Sequence, residues 1–160
     1  MSSFDDAFDA LIGNEGRFVD NLADPGGATM WGVTERVARA WGYTGAMQDL
    51  PLGTAKAIAK KNYWDPYQCD QFDPRVAFQL FDAAYNGGRP AQWLQQAAGV
   101  ATDGVIGPIT ISAVRAADPL KIVILFNASR IVYYTSLGTW ESFGKGWANR
   151  IANNLRRAAS

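Results

Sequence analysis

The sequence predicts an all-α fold. Three observations carry this. Apolar residues recur at helical spacing almost throughout, Pro and Gly punctuate the chain at helix-length intervals, and continuous β-type alternation is nearly absent. At 160 residues, with 48 % apolar and 19 % charged residues, the chain suffices for one well-cored domain or two small lobes.

The elements follow in order. Phe4, Phe8, Leu11 and Ile12 occupy one helix face, with Ser2 or Ser3 as N-cap. Gly13 and Gly16 break that helix, and residues 17–33 read as a Gly-rich loop or a short hairpin. Thr34 caps a helix to Trp41, stopped by Gly42. Pro51 to about Tyr63 is the next helix. Asp73-Pro74 opens another to Tyr85, closed by Asn86-Gly87-Gly88. Pro90–Ala98 ends at Gly99, Gly107-Pro108 starts a helix to Ala117, and Asp118-Pro119 starts a long one to Leu137, stopped by Gly138. A last helix is expected from about Lys145 to Arg157. The best boundary falls near Gln71–Pro74, dividing the chain into residues 1–72 and residues 73–160.

Composition removes whole reaction classes. Histidine is absent and Cys69 is the single cysteine. Ser-His-Asp and Cys-His nucleophile systems, His/Cys zinc sites and internal disulfides are therefore excluded. No metal and no cofactor are expected. Carboxylates, hydroxyls, Lys and Tyr remain for catalysis. Cys69 reads as an inert side chain beside an aromatic group, Tyr63, Trp64 and Tyr67, that belongs to the core or lends one ring to a cleft.

Net charge is zero, so no global field attracts nucleic acid, and no partner of that kind is expected. The acidic N-terminal stretch (Asp5, Asp6, Asp9, Glu15, Asp20 and Asp24 against Arg17) contrasts with a basic tail of Lys145, Arg150, Arg156 and Arg157. The tail reads as a solvated helix face. No apolar run approaches the ~20 residues of a membrane span, so no stable membrane insertion is expected. Met1–Asp6 has no basic n-region and no apolar h-region, so no secretory signal is expected there.

One short stretch concentrates chemistry. Eight residues separate Glu15 from Asp24, and four separate Asp24 from Thr29. A carboxylic acid, a second carboxylate and a hydroxyl are the components needed to cut a glycosidic bond with water. One carboxyl protonates the leaving oxygen, and the other groups position or activate water. Asp20 is the reserve second carboxylate. Taken singly, Glu15 reads as a surface residue at a helix end, and Asp24-Pro25-Gly26-Gly27 as a plain turn. Trp31, next to the hydroxyl, can stack on a sugar face or pack in the core.

Residues 14–33, from Asn14-Glu15-Gly16-Arg17 through Asp24-Pro25-Gly26-Gly27-Ala28-Thr29-Met30-Trp31-Gly32-Val33, resemble the signature of glycoside hydrolase family 108, the muramidases of phage endolysins and related bacterial proteins. Downstream, Phe81–Gly88, Trp93–Gly99, Asp103–Thr110 and Phe143–Arg150 look like the predicted peptidoglycan-binding domain that follows such catalytic regions. Order and spacing together make the match specific. The family usually shows His-Glu-Gly-Gly where this chain has Asn14-Glu15-Gly16-Arg17.

The resemblance implies a lysozyme-like helical fold. It implies that residues 1–72 form a muramidase acting on the β-1,4 bond of peptidoglycan, and that residues 73–160 form a helical peptidoglycan-binding region packed on it. It implies Glu15 as the catalytic acid; Asp24 and Thr29 are the expected assisting groups by their spacing, and Arg17, where this chain departs from the family, with Asp20, Trp31, Asn86 and Gly87, are the candidate substrate contacts. Arg17 can also lower the pKa of Glu15 if it lies close. Most of the Asp103-Gly-x-x-Gly-Pro-x-Thr motif is expected to be structural. A lytic transglycosylase, a non-catalytic wall-binding protein and a structural phage or secretion-associated protein are the alternatives. The expected setting is a monomeric endolysin in the host bacterial cytoplasm, reaching the wall once the membrane is permeabilised.

Overall fold

The computed structural model describes residues 3–12, 18–20 and 26–160. The chain divides into two compact units, residues 1–66 and 67–160. Both are helical, as the periodicity predicts, and the strands described are confined to one short hairpin.

The first unit begins with α1 (Ser3–Ile12). It buries most of the face expected of it: Phe4, Phe8 and Ile12 are core residues, while Leu11 is half-buried. Phe4 meets Trp64 edge-on, ring centroids 5.4 Å apart. The next element among the described residues is the hairpin of β1 (Thr29–Met30) and β2 (Val33–Thr34), which pairs Thr29 with Thr34 and Met30 with Val33. Trp31 and Gly32 form its two-residue turn, both at positive φ (52° and 73°), the pattern of a type I′ turn.

Thr34 then caps α2 (Glu35–Trp41), its side chain accepting from the Val37 N–H, and Gly42 closes the helix in the left-handed region. α3 (Leu52–Ala59) follows. The single helix expected over 51–63 is in fact α3 continued by a π turn over Lys60–Trp64. Lys56 on α3 lies 3.3 Å from Asp5 and 3.8 Å from Asp9, which ties α3 to the acidic face of α1.

The second unit holds α4 (Pro74–Asn86), α5 (Pro90–Ala98), α6 (Pro108–Ala116), α7 (Pro119–Thr135) and α8 (Trp140–Ala159). Four of these have Pro at the first helical position, where the missing N–H is no loss. Asp73 and Asp118 accept from the N–H two residues on and cap α4 and α7. α7 is the axis of this unit and packs against α4, α5, α6 and α8. Its Phe126 and Tyr134 join Trp93 of α5 and Trp147 of α8 in a continuous aromatic core.

α8 starts at Trp140, five residues before the expected Lys145. Gly144 and Gly146 hid this start. Gly144 is there because the Trp140 indole folds back over it: a Cβ would stand 2.5 Å from the ring. The basic tail also differs from a purely solvated face. Arg150 turns in to Asp82, and Arg157 lies 4.6 Å above the Phe78 ring, while Lys145 and Arg156 remain exposed. Trp64 and Cys69 are fully buried, whereas Tyr63 and Tyr67 are half-buried.

Candidate functional site

Glu15, Arg17 and Asp24 lie outside the described residues. What holds their flanks is clear. Upstream, Ile12 is buried at the end of α1. Downstream, Val19 and Thr29 exchange both backbone hydrogen bonds, at 2.8 and 2.7 Å, as an antiparallel bridge. The Glu35 N–H donates to Ala28 O at 2.7 Å and the Arg36 N–H to Gly26 O at 3.1 Å, so the first turn of α2 fastens residues 26–28. Gly27 lies against Glu35, where a Cβ would come within 3.2 Å of that side chain.

Val19, Thr29 and Thr34 therefore line up across three adjacent backbone segments. Directly paired residues share a face, so their side chains lie together. Val33 and Met30 take the opposite face, and Val33 is buried. The Thr29 face is thus the outward one, with Val19 exposed and Thr29 half-buried. Asp20 adjoins this crosspiece and is exposed.

Trp31 donates its indole N–H to Leu50 O at 3.1 Å. That bond fixes the ring orientation while leaving the ring partly open to solvent. The structure thus gathers Thr29, Trp31 and Asp20 around the hairpin of the first unit.

Asn86 and Gly87 belong to the second unit. Asn86 is exposed and donates to Asp82 O at 2.8 Å, ending α4. Gly88 follows at φ +129°, and a side chain there would strike the Trp93 ring. The motif beginning at Asp103 is structural, as expected. Gln95, buried on α5, donates to Asp103 Oδ1 (2.8 Å) and Val105 O (3.0 Å) and accepts from the Gly104 N–H (2.9 Å). The Val105 N–H, then the Gln95 amide, hold the Asp103 carboxyl below its ordinary range.

Sequence reasoning missed one cluster altogether. Asp82 on α4 is buried and accepts from Arg130 (2.6 Å) on α7 and from Arg150 (2.8 Å) and Asn154 (2.9 Å) on α8. Arg130 is itself fully buried and donates to Tyr134 Oη at 3.1 Å. A carboxylate inside an apolar run, Phe78-Gln79-Leu80-Phe81-Asp82-Ala83, was the available signal. Such a residue must find charged or polar partners to remain buried. Among the described residues, no group of three or more His, Cys, Asp or Glu side chains could hold a metal ion. None of the helices described is long and apolar enough to cross a membrane.

Comparison with known proteins bears on both units. Residues 8–88 match the family described as Glycosyl hydrolase 108, and residues 89–152 match the one described as Predicted Peptidoglycan domain. The two matches meet in the turn between α4 and α5, so α4 belongs to the first match by sequence while packing within the second unit. Among solved structures, that of Brucella abortus SagA is similar, with 33 % identity and a TM-score of 0.84, over 98 % of this chain and 94 % of that chain. Among curated proteins, none matches.

Proposed function

The chain belongs to the glycosyl hydrolase 108 family, and from that premise we propose that it is an N-acetylmuramidase cleaving the β-1,4 bond between N-acetylmuramic acid and N-acetylglucosamine. The coarser statement stands on the matches themselves: this is a glycoside hydrolase, and peptidoglycan is its substrate. The observation that carries the reading is the pair of adjacent matches, a hydrolase family and a peptidoglycan domain, in one chain.

In the proposed mechanism Glu15 protonates the glycosidic oxygen as the bond breaks. Asp24 and Thr29 hold and activate a water on the opposite face, which inverts the anomeric centre. Inversion calls for carboxyls roughly 6.5–9.5 Å apart. The Val19–Thr29 bridge supports the assignment, because the chain tethers Glu15 four residues from Val19 and Asp24 five residues from Thr29. Trp31, its N–H already satisfied by Leu50, offers a ring face to a sugar, and Arg17 and Asp20 meet polar groups of the substrate. In the second unit, Asn86 and Gly87 are proposed as glycan contacts of their own. The proposed setting is a monomeric endolysin that accumulates in the host cytoplasm and meets the wall after the membrane is opened.

The decisive experiment is Glu15→Gln. The variant should keep the far-ultraviolet circular dichroism of the parent and release reducing ends from peptidoglycan about 100-fold more slowly or worse. Release at the parent rate would remove Glu15 from the acid's role. Mass spectrometry of the products separates the reactions: anhydro-muramyl ends would replace hydrolysis by lytic transglycosylation.

A further inference from the structure

The second unit contains a cavity that neither the catalytic reading nor the buried ion cluster uses. It has a volume of about 670 Å³ and opens between α5 and α7. That size suits a drug-sized or disaccharide-sized ligand, for which pockets run about 300–1,000 Å³. A second cavity beside Pro74, Phe78 and Arg157 is smaller, about 260 Å³, and Asp73 already occupies its other arginine, Arg75.

The lining of the larger cavity has a definite chemistry. It holds one cation, Arg89, and no carboxylate. The Arg89 guanidinium lies 5.3 Å from the centre of the Tyr133 ring, which braces it in place. Among the described residues it has no acidic partner, and Gln92 and Gln96, one turn apart on α5, make no side-chain hydrogen bonds. Gln92 rests against Gly104, where a Cβ would come within 2.8 Å of its amide nitrogen. Ser129 and Thr102 add hydroxyls at the edge, and the Trp93 ring, 5.5 Å from Tyr133, underlies the centre. An exposed cation over a ring, two planar amides and a half-exposed ring suit a ligand that carries a carboxylate, amide groups and a flat apolar patch.

We infer that this cavity binds the carboxylate-bearing peptide stem of a muropeptide, with Arg89 on the carboxylate and Gln92 and Gln96 on the peptide amides. The inference rests on peptidoglycan being the substrate, and it goes further by naming which portion of the polymer the second unit reads. All the lining residues fall within 89–152. An arginine is suited to this task because its planar fork engages both carboxylate oxygens. A neutral chitin-type oligosaccharide would leave the cation unmatched.

The test uses the full chain carrying Glu15→Gln, so that bound glycan stays intact. Three probes are titrated by calorimetry and by amide chemical shifts: a GlcNAc–MurNAc tetrapeptide, the same disaccharide without peptide, and chitotetraose. The tetrapeptide should bind at least about tenfold tighter than chitotetraose and shift amides of α5 and α7. Adding Arg89→Glu should weaken the tetrapeptide about tenfold or more while changing chitotetraose less than threefold. Tyr133→Leu, which removes the ring beneath the guanidinium together with part of the cavity wall, should weaken it about fivefold.

Equal binding by the peptide-free disaccharide would move the contact from the stem to the lactyl carboxylate and overturn the stem assignment. Shifts confined to the first unit, or unchanged affinity in Arg89→Glu, would overturn the site altogether. Neither result touches the hydrolase reading, which is judged separately by wild-type release of reducing ends.

Discussion

Replacing Asp82 by Asn keeps the shape of the side chain and removes its charge. The consequence follows from its three partners. One oxygen accepts from Arg130 and Asn154, the other from Arg150, so an amide nitrogen at either position faces a donor. Arg130 is fully buried, and among the described residues its second terminal nitrogen already lacks a hydrogen-bond partner. Leaving a buried ion without its counterion costs about 3–5 kcal/mol, against a total stability of about 5–15 kcal/mol for a typical domain. In urea, with a slope of about 2 kcal/mol per molar, the midpoint should fall by about 2 M.

Circular dichroism at 222 nm measures this. The loss should persist at 1 M salt, because the cluster is inside the protein and ions screen it little. The double variant Asp82→Asn/Arg130→Met, which removes the stranded cation, should recover about 2 kcal/mol relative to Asp82→Asn alone. A midpoint within 0.5 M of the parent for Asp82→Asn, on the order of 1 kcal/mol by the same slope, would refute the reasoning. So would simple additivity in the double variant.

Further outcomes are expected at two carboxylates and two glycines. Asp73 and Asp103 are held below the ordinary carboxylate range, Asp73 by the Arg75 guanidinium first and Asp103 by the Val105 N–H first. A folded value below the unfolded one contributes stability above the unfolded pKa of about 3.8 and loses it as pH falls through the folded value. Thermal melts should therefore weaken progressively from about pH 5 downward, and Asp103→Asn should flatten that slope. Gly146→Ala should stabilise α8 by roughly 0.5–1 kcal/mol, since nothing lies within 4 Å of the added methyl. Gly144→Ala should destabilise by about 1 kcal/mol or more as Trp140 is displaced, with a shift in tryptophan emission; equal stabilisation by both would contradict the close approach.

Helix starts with explicit chemistry were legible. Thr34, Asp73-Pro74, Pro90, Gly107-Pro108 and Asp118-Pro119 announce their helices, because each cap or proline satisfies or omits orphan donors by local geometry alone. Trp140 was not legible as a start, since two interior glycines imitate a breaker and only the folded-back indole explains one of them. The π turn after Ala59 was equally hidden, for no residue type signals one. At the candidate site, spacing singled out Thr29, which lies on the outward face of the crosspiece. It did not disclose Val19 as its partner, because a one-residue bridge has no periodicity. The Asp82 cluster joins residues 48, 68 and 72 positions apart, a distance over which one sequence carries no pairing information.

The turn at Trp31 has a consequence for anyone wishing to toughen this enzyme. A bulky residue at φ 52° sits in a conformation that Asn or Gly adopts with less strain, by roughly 1 kcal/mol. Trp31→Asn would relieve that strain, but it also gives up the indole bond to Leu50 O, which is worth about as much. It would also delete the ring that we propose faces a sugar, so a change chosen for backbone strain alone would remove a proposed substrate contact. Libraries aimed at heat tolerance should leave that hairpin tip alone and look for gains at Gly146 instead.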